Sequence, residues 1–526
     1  MGELLPQTDV LIVGGGPVGL GLGIELVRRG IRAVVIEKHE TIHSVPKGQN
    51  LTQRTGEHFQ AWGVSGQIRE ASVIPREFGS FGLTSYGSLT SGICYDWFNR
   101  SGVREFYAAD NERLPQYVTE RVLRRRLTGL GGDLLLGCEV VSLRQSEEEV
   151  ELGFSDPRGA RRKLRARFAV GCDGSHSSVR RLAGITQSVD DHSKRMGLMV
   201  FRSERLDRIL DRYPGKSFFH IMRPHLQGYW QFLGRVDLDG TWFYHSPVET
   251  GKIDHKAHLQ DAVGGEFDVD LLYSGFWDLR FAVVDNFRRG RVFVAGDAAH
   301  SHPPYGGFGI NLGFEDARNL GWKLAAELAG WAGADLLQSY NAERRGVFVS
   351  TADDFILRMI QDDAEFLRRF SPDRDSAEFA AAWQRRADGG DADVVEYCPH
   401  YSGSPIVAAN SGPGPGAKGR HRHDAIAGAH LSPQRLADGG MSSERLGDGF
   451  TLIGIGISGE HMLNYGREAE AAGIPMAGLE LEASESTGRW NASVILVRPD
   501  HFVAFASKRP PDSIGTWLRR SVGSAE

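Results

Sequence analysis

Residues 9–37 constrain the fold more than any other part of the chain. Residues 9–13 read DVLIV, a continuous apolar run that suits a strand buried on both faces of a parallel sheet. Gly14-Gly15-Gly16-Pro17-Val18-Gly19 follows, and Leu20, Leu22, Ile24, Leu26 and Val27 predict an apolar helix that stops near Gly30. A second strand, residues 33–36, ends at Glu37, 23 residues after Gly14. Gly14 permits the tight turn, Gly16 lets the backbone approach a pyrophosphate, and Gly19 allows close packing of helix on strand. Pro17 suits the first helical position, and the helix N-terminus favours the phosphate charge. Glu37, followed by Lys38, stands where a ribose hydroxyl would be bound. The unit predicts a dinucleotide site. It does not distinguish a flavin from a nicotinamide dinucleotide.

Two later segments do. Residues 166–174 run through a strand to Cys172-Asp173-Gly174, and residues 291–324 run through another strand into GDAAHSHPPYGGFGINLGFEDARNLGWKL. With GGGPVG at 14–19, these segments have the order and spacing found in the class A flavoprotein aromatic hydroxylases, the family of para-hydroxybenzoate hydroxylase and phenol hydroxylase, which the chain resembles. The resemblance implies FAD, with NADPH or NADH as co-substrate and molecular oxygen. It places Asp173 near the pyrophosphate and Asp297 on the ribityl chain. Gly309 and the amides near Ile310 and Asn311 fall on the flavin pyrimidine edge, and Gln116 matches a flavin-contacting glutamine. Lys47 stands where the family often has arginine, so a phosphate there would lose a bidentate fork.

The implied fold class is α/β: a Rossmann-like FAD-binding domain (1–184 and 281–400) with an inserted antiparallel-sheet substrate domain (185–280). Residues 76–108 lend strands to the substrate sheet. Residues 228–236 and 241–248 flank Asp237-Leu238-Asp239-Gly240 and predict a hairpin. Alternation puts Gln231, Leu233 and Arg235 on one face, and Phe243 and His245 share a face on the partner strand. The resemblance places Arg235 on the arginine that holds a substrate carboxylate and Leu233 where para-hydroxybenzoate hydroxylase has serine. With Tyr229, these residues are the candidate substrate contacts, and the Pro303 carbonyl is expected beside the ring hydroxyl. Residues 401–421, rich in Ser, Gly and Pro, predict a linker. Residues 422–526 resemble the thioredoxin-like domain of the phenol hydroxylase subgroup, without a CxxC pair.

Composition narrows the function classes. A net charge of −6 leaves no global basic field for nucleic acid, and no apolar run is long enough to span a membrane. Cys94, Cys138, Cys172 and Cys398 are far apart, and His300 and His302, like His421, His423 and His430, lack a third ligand, so no metal is expected. The acidic N-terminal stretch has no signal-peptide pattern, and a cytoplasmic monomer or homodimer is expected. The implied reaction is hydroxylation of a phenolic or heteroaromatic ring through a flavin C4a-hydroperoxide, on a simple phenol or, as Leu233 suggests, a bulkier secondary metabolite. Epoxidation, oxidative decarboxylation, Baeyer–Villiger-type insertion and a non-hydroxylating flavin-binding partner protein remain open alternatives.

Overall fold

A computed structural model describes residues 8–79, 82–248, 254–408, 412 and 414–524. Two eight-stranded sheets dominate it. In the first, Val292–Val294, Arg161–Gly171, Thr8–Val13, Ala33–Glu37 and Asp133–Leu136 lie side by side and parallel. Val10, Leu11, Ile12 and Val35 are fully buried between the layers on the two faces, which is why these strands are apolar without alternation. Helices Pro17–Val27 and Gly309–Ala329 pack against each other over one face.

The second sheet runs in the order His300–Ser301, Asp270–Val284, Gln187–Arg202, Thr241–Pro247, Gln231–Arg235, Phe218–Met222, Gly82–Tyr86 and Cys94–Trp97. It is antiparallel except where Phe218–Met222 meets Gly82–Tyr86. Its central hairpin pairs Phe232 with His245 and Gly234 with Phe243. The turn is fastened by Asp237, whose Oδ1 accepts from the amides of Asp239 and Thr241, both at 2.9 Å, and Gly240 supplies the positive φ of 82°.

A third sheet, in the order Met476–Leu481, Phe450–Ile455, Val494–Val497 and Val503–Ser507, has one parallel and two antiparallel pairs. Helix Gly459–Ala471 connects its first two strands and helix Gly515–Ser521 closes the chain. The stretch 401–421 does not behave as a free linker over its described residues. Gly416–Lys418 pairs with Tyr397–His400, and Tyr401 is fully buried against Phe502, 4.1 Å between ring centroids. Ring burial fixes that segment despite its Ser/Gly/Pro composition. Residues 409–411 and 413 of the stretch, and the N-terminal residues 1–7, lie outside the described residues.

Candidate active site

The three signature glycines meet different surroundings. Gly14 has a φ of 109°, and a Cβ there would overlap the Cys172 carbonyl; a Cβ on Gly19 would overlap the Gly14 carbonyl. Both are packing positions. A Cβ on Gly16 would meet nothing within 4 Å, because Gly16 caps helix Pro17–Val27 at the edge of a cavity of about 540 Å³. Glu37 fastens the turn: its Oε2 accepts from the Gly15 amide at 2.6 Å and its Oε1 from the His39 amide at 2.8 Å.

Gly14, Gly16, Pro17, Glu37, Lys38, Lys47, Gln116, Asp173, Asp297, Gly309 and Ile310 all line this cavity. Asp173 is also a helix cap: it accepts from the Ser177 hydroxyl and from the amides of Ser178 (2.6 Å) and Val179 (3.2 Å). Burial pushes the Asp297 carboxyl up, against the pull of His300 and Lys47. Asp316 locks the loop that carries Asp297, accepting from the Gly296 amide at 2.9 Å and from His300 Nε2 at 2.7 Å. Helix Gly309–Ala329 points its N-terminus at the cavity with no side chain capping it. Its free amides and dipole suit an anion or a polar ring edge. Asn311 does not line the cavity. Its Oδ1 accepts from the Thr52 amide (2.9 Å) and the Thr55 hydroxyl (2.6 Å), and its Nδ2 donates to the carbonyls of Asn50 and Gly307. Its side chain therefore builds the wall rather than facing a ligand. An open glycine, an uncapped helix N-terminus and an acid at the second strand end fit the cofactor that the sequence implies.

The same cavity continues into an aromatic chamber formed by Trp97, Phe98, Phe218, Trp230, Phe232, Phe243 and His245. Phe232 lies 5.9 Å from Phe218 and 5.8 Å from Phe243; Trp230 stacks on Tyr305 at 4.1 Å. Burial pushes the His245 imidazole down to about 4, and its Nδ1 has no hydrogen-bond partner. His302, also at the cavity, is likewise pushed down to about 4 by burial, against its bond to the Pro303 carbonyl.

Five expected contacts are not placed at the cavity. Gln231, Leu233 and Arg235 do share a face, but it is the opposite one. Leu233 packs with Leu83, Phe219 and Tyr244, Gln231 is buried, and Arg235 pairs with Asp207 and lies over the Trp242 ring at 4.3 Å. The cavity face of that strand belongs to Phe232 and Gly234, as pairing with His245 and Phe243 requires. Tyr229 bonds through its hydroxyl to His192 Nδ1 at 3.0 Å, and its neighbour Trp230 takes the cavity position. The Pro303 carbonyl accepts from His302 Nδ1 at 2.7 Å, while Pro304, Tyr305, Gly306 and Gly307 form the lining. Sequence reasoning also passed over Arg113, which lines the cavity and stacks on Phe218 at 4.7 Å. Its signal was its place three residues before Gln116, in the strand Glu112–Arg113 that pairs with Asn50–Leu51.

Comparison with known proteins gives the family. A family model described as "FAD binding domain" matches residues 7–354. The chain is 30% identical to a 4-methyl-5-nitrocatechol 5-monooxygenase from Burkholderia sp. over 95% of its own length and 94% of the relative's. It is 34% identical to a rifampicin monooxygenase of Streptomyces venezuelae over 66% of this chain and 70% of that one. The solved structure of the rebeccamycin biosynthetic enzyme RebC with reduced flavin superposes with a TM-score of 0.86 at 27% identity, covering 99% of this chain and 100% of that one. No helix among the described residues is long and apolar enough to cross a membrane. A glycine turn open at Gly16, an uncapped helix facing the same cavity and relatives that share nearly the whole chain place this protein in the FAD-dependent aromatic monooxygenase family.

Proposed function

We propose that the protein hydroxylates a planar aromatic substrate of secondary-metabolite size, held against the aromatic chamber while FAD occupies the glycine-turn end. One observation carries this reading: a single unbroken cavity joins Gly16 and the helix start at Gly309 to Trp97, Phe218, Phe232 and Phe243. Gly16 and the helix N-termini would take the pyrophosphate, Glu37 a ribose, Asp297 the ribityl chain, and the amide of Ile310 with Gln116 the flavin ring edge. When bound and reduced by NADPH or NADH, the flavin supplies the oxygen activation. The chain's own residues bind, orient and keep water out. The aromatic rings offer a flat apolar slot. His245 and His302, both held neutral by burial, add no cation to it at neutral pH. The name of the nitrocatechol relative favours a phenol; the names of the rifampicin and rebeccamycin proteins favour a larger ring system.

We also infer that residues 422–526 form a thioredoxin-like unit. The support is strand order: the second strand of the unit is outermost, then the first, third and fourth, with a helix between the first two and another at the end. None of the four cysteines falls within it.

The test is reduction of the purified flavoprotein by NADPH and by NADH, with a panel of phenols and hydroxylated polycyclic aromatics, followed by mass analysis of products. Ligand-accelerated reduction and a product carrying one added oxygen on the ring support the reading. An epoxide or a ring-expanded lactone would replace hydroxylation by another oxygen transfer, and a flavin that no aromatic ligand helps reduce would remove it.

A further inference from the structure

Three lysine and arginine side chains line the cavity, Lys38, Lys47 and Arg113, and of these Arg113 is the one that lies over a ring of the aromatic chamber, Phe218. Its surroundings are unusual. The residue is 4% exposed, its Nε has no hydrogen-bond partner, and no carboxylate among the described residues pairs with it. Burial, with the like charge of Arg100 added, pushes its guanidinium down to about 9. The other buried arginines nearby are spoken for: Arg235 pairs with Asp207, and Arg100 donates from Nη2 to the Gly306 carbonyl at 3.0 Å. A buried cation without an anion is costly. Its persistence in a ligand cavity points to an anion that arrives with the ligand.

The placement fits that reading. Strand pairing with Asn50–Leu51 fixes the Arg113 backbone beside the cavity residues Gly48, Gln49 and Asn50. The guanidinium lies over Phe218 at 4.7 Å, and Phe218 in turn stacks on Phe232 at 5.9 Å and meets Trp97 at 6.0 Å. A planar, stacked guanidinium next to a planar slot can donate in the plane of an aromatic ligand.

We propose that Arg113 is a specificity-determining residue, selecting aromatic ligands that carry an anionic oxygen, phenolate or carboxylate, and holding that oxygen at the edge of the Phe218–Phe232 slot. This rests on the reading of the chamber as the substrate end of the cavity. For a phenol, binding would release the hydroxyl proton to water and leave the negative phenolate oxygen paired with the positive guanidinium.

The test uses the flavin-loaded protein and three probes of similar shape: 4-nitrophenol, 4-nitrobenzoate and nitrobenzene. Wild type should bind at least one acid more tightly than nitrobenzene. In Arg113→Gln that preference should fall about tenfold. The pKa of bound 4-nitrophenol, read from its visible absorbance, should rise by about one unit. Nitrobenzene affinity and flavin content should stay unchanged. Arg113→Lys, which keeps the charge, should restore part of the preference. The two acids separate phenolate from carboxylate recognition. Equal affinity of wild type for all three probes, or an unchanged preference in Arg113→Gln, overturns the proposal. Loss of flavin from Arg113→Gln also overturns it, assigning the cation to the cofactor. Failure of ring oxygenation would be seen separately, because these readouts need no turnover.

Discussion

Gly14, Gly16 and Gly19 belong to one short turn, yet a methyl group added to each would have different effects. At Gly19 it would collide with the Gly14 carbonyl, which cannot yield without opening the turn. At Gly16 it would enter open cavity space. Gly19→Ala should therefore lower the melting temperature of the apoprotein, whereas Gly16→Ala should leave that temperature within a degree or two and weaken FAD, measured by flavin titration. A second residue-scale consequence concerns acid. His220 is buried between Trp97 and Trp230, with its Nε2 3.6 Å from Asp363 and no hydrogen bond to it. Burial, aided by Arg386, pushes its imidazole down from 6.5 to about 3. Above pH 6.5 both folded and unfolded chains hold it neutral. As pH falls from 6.5 towards 3 the unfolded chain takes up a proton that the folded chain refuses, so stability is lost across that window. Asp363, pushed up by burial to about 6, takes up its proton in the folded state and acts in the opposite sense. The difference between wild type and His220→Gln isolates the histidine. The variant's stability, from urea titrations between pH 7 and 4, should decline less steeply by up to one proton.

At the scale of the element, the central hairpin shows what the sequence reveals and what it hides. Its two strands, its turn and the sharing of faces are all legible, because β-rich runs flank an Asp/Gly turn and side chains alternate. Which face meets the cavity is not. Phe232 and Leu233 are both apolar, and both sides of this strand are covered, one by the Leu83–Phe219–Tyr244 cluster and one by the chamber. A strand covered on both faces carries no polarity signal, so only the resemblance points to a face, through Arg235, and that charge is met instead by Asp207 from helix Glu204–Leu210. The glycine turn gave no such difficulty: each of its constraints is local to 9–37. Phe232→Ala should alter ligand affinity and the choice among ligands while costing less stability. Leu233→Ala should cost about 2–5 kcal/mol in urea titrations and leave ligand choice unaltered.

In the whole molecule, the third sheet is bound to the FAD-binding layers through buried charge. Arg498 donates to Glu343 at 2.6 Å and to Asp500 at 2.6 Å; Lys323 donates to Glu343 at 2.7 Å; Trp322 Nε1 donates to Asp500 at 3.0 Å. Arg318 bridges Glu25 and the Pro499 carbonyl, both at 2.7 Å. Burial would raise the Glu343 carboxyl, but Arg498 and Lys323 hold it well below the usual range. Arg498→Met leaves Asp500 without its cation, and the expected cost is about 3–5 kcal/mol, read as a fall in the urea midpoint. The links that tie the sheet to these layers were not legible in the sequence, since Arg498–Glu343, Trp322–Asp500 and Arg318–Pro499 join residues more than 150 apart that meet only in the folded chain.

One helix joins the two ends of this arrangement. Gly309–Ala329 spans about 30 Å. Its first residues face the cavity, while Arg318 and Asn319 at its middle and Trp322 and Lys323 beyond them are gripped by Glu343 and by residues of the C-terminal unit. It works as a strut that starts at the cavity and is clamped from its middle onward. Whatever steadies the cavity end must, by reciprocity, steady the grip further along, and slack in the C-terminal sheet becomes slack in the wall of the cavity.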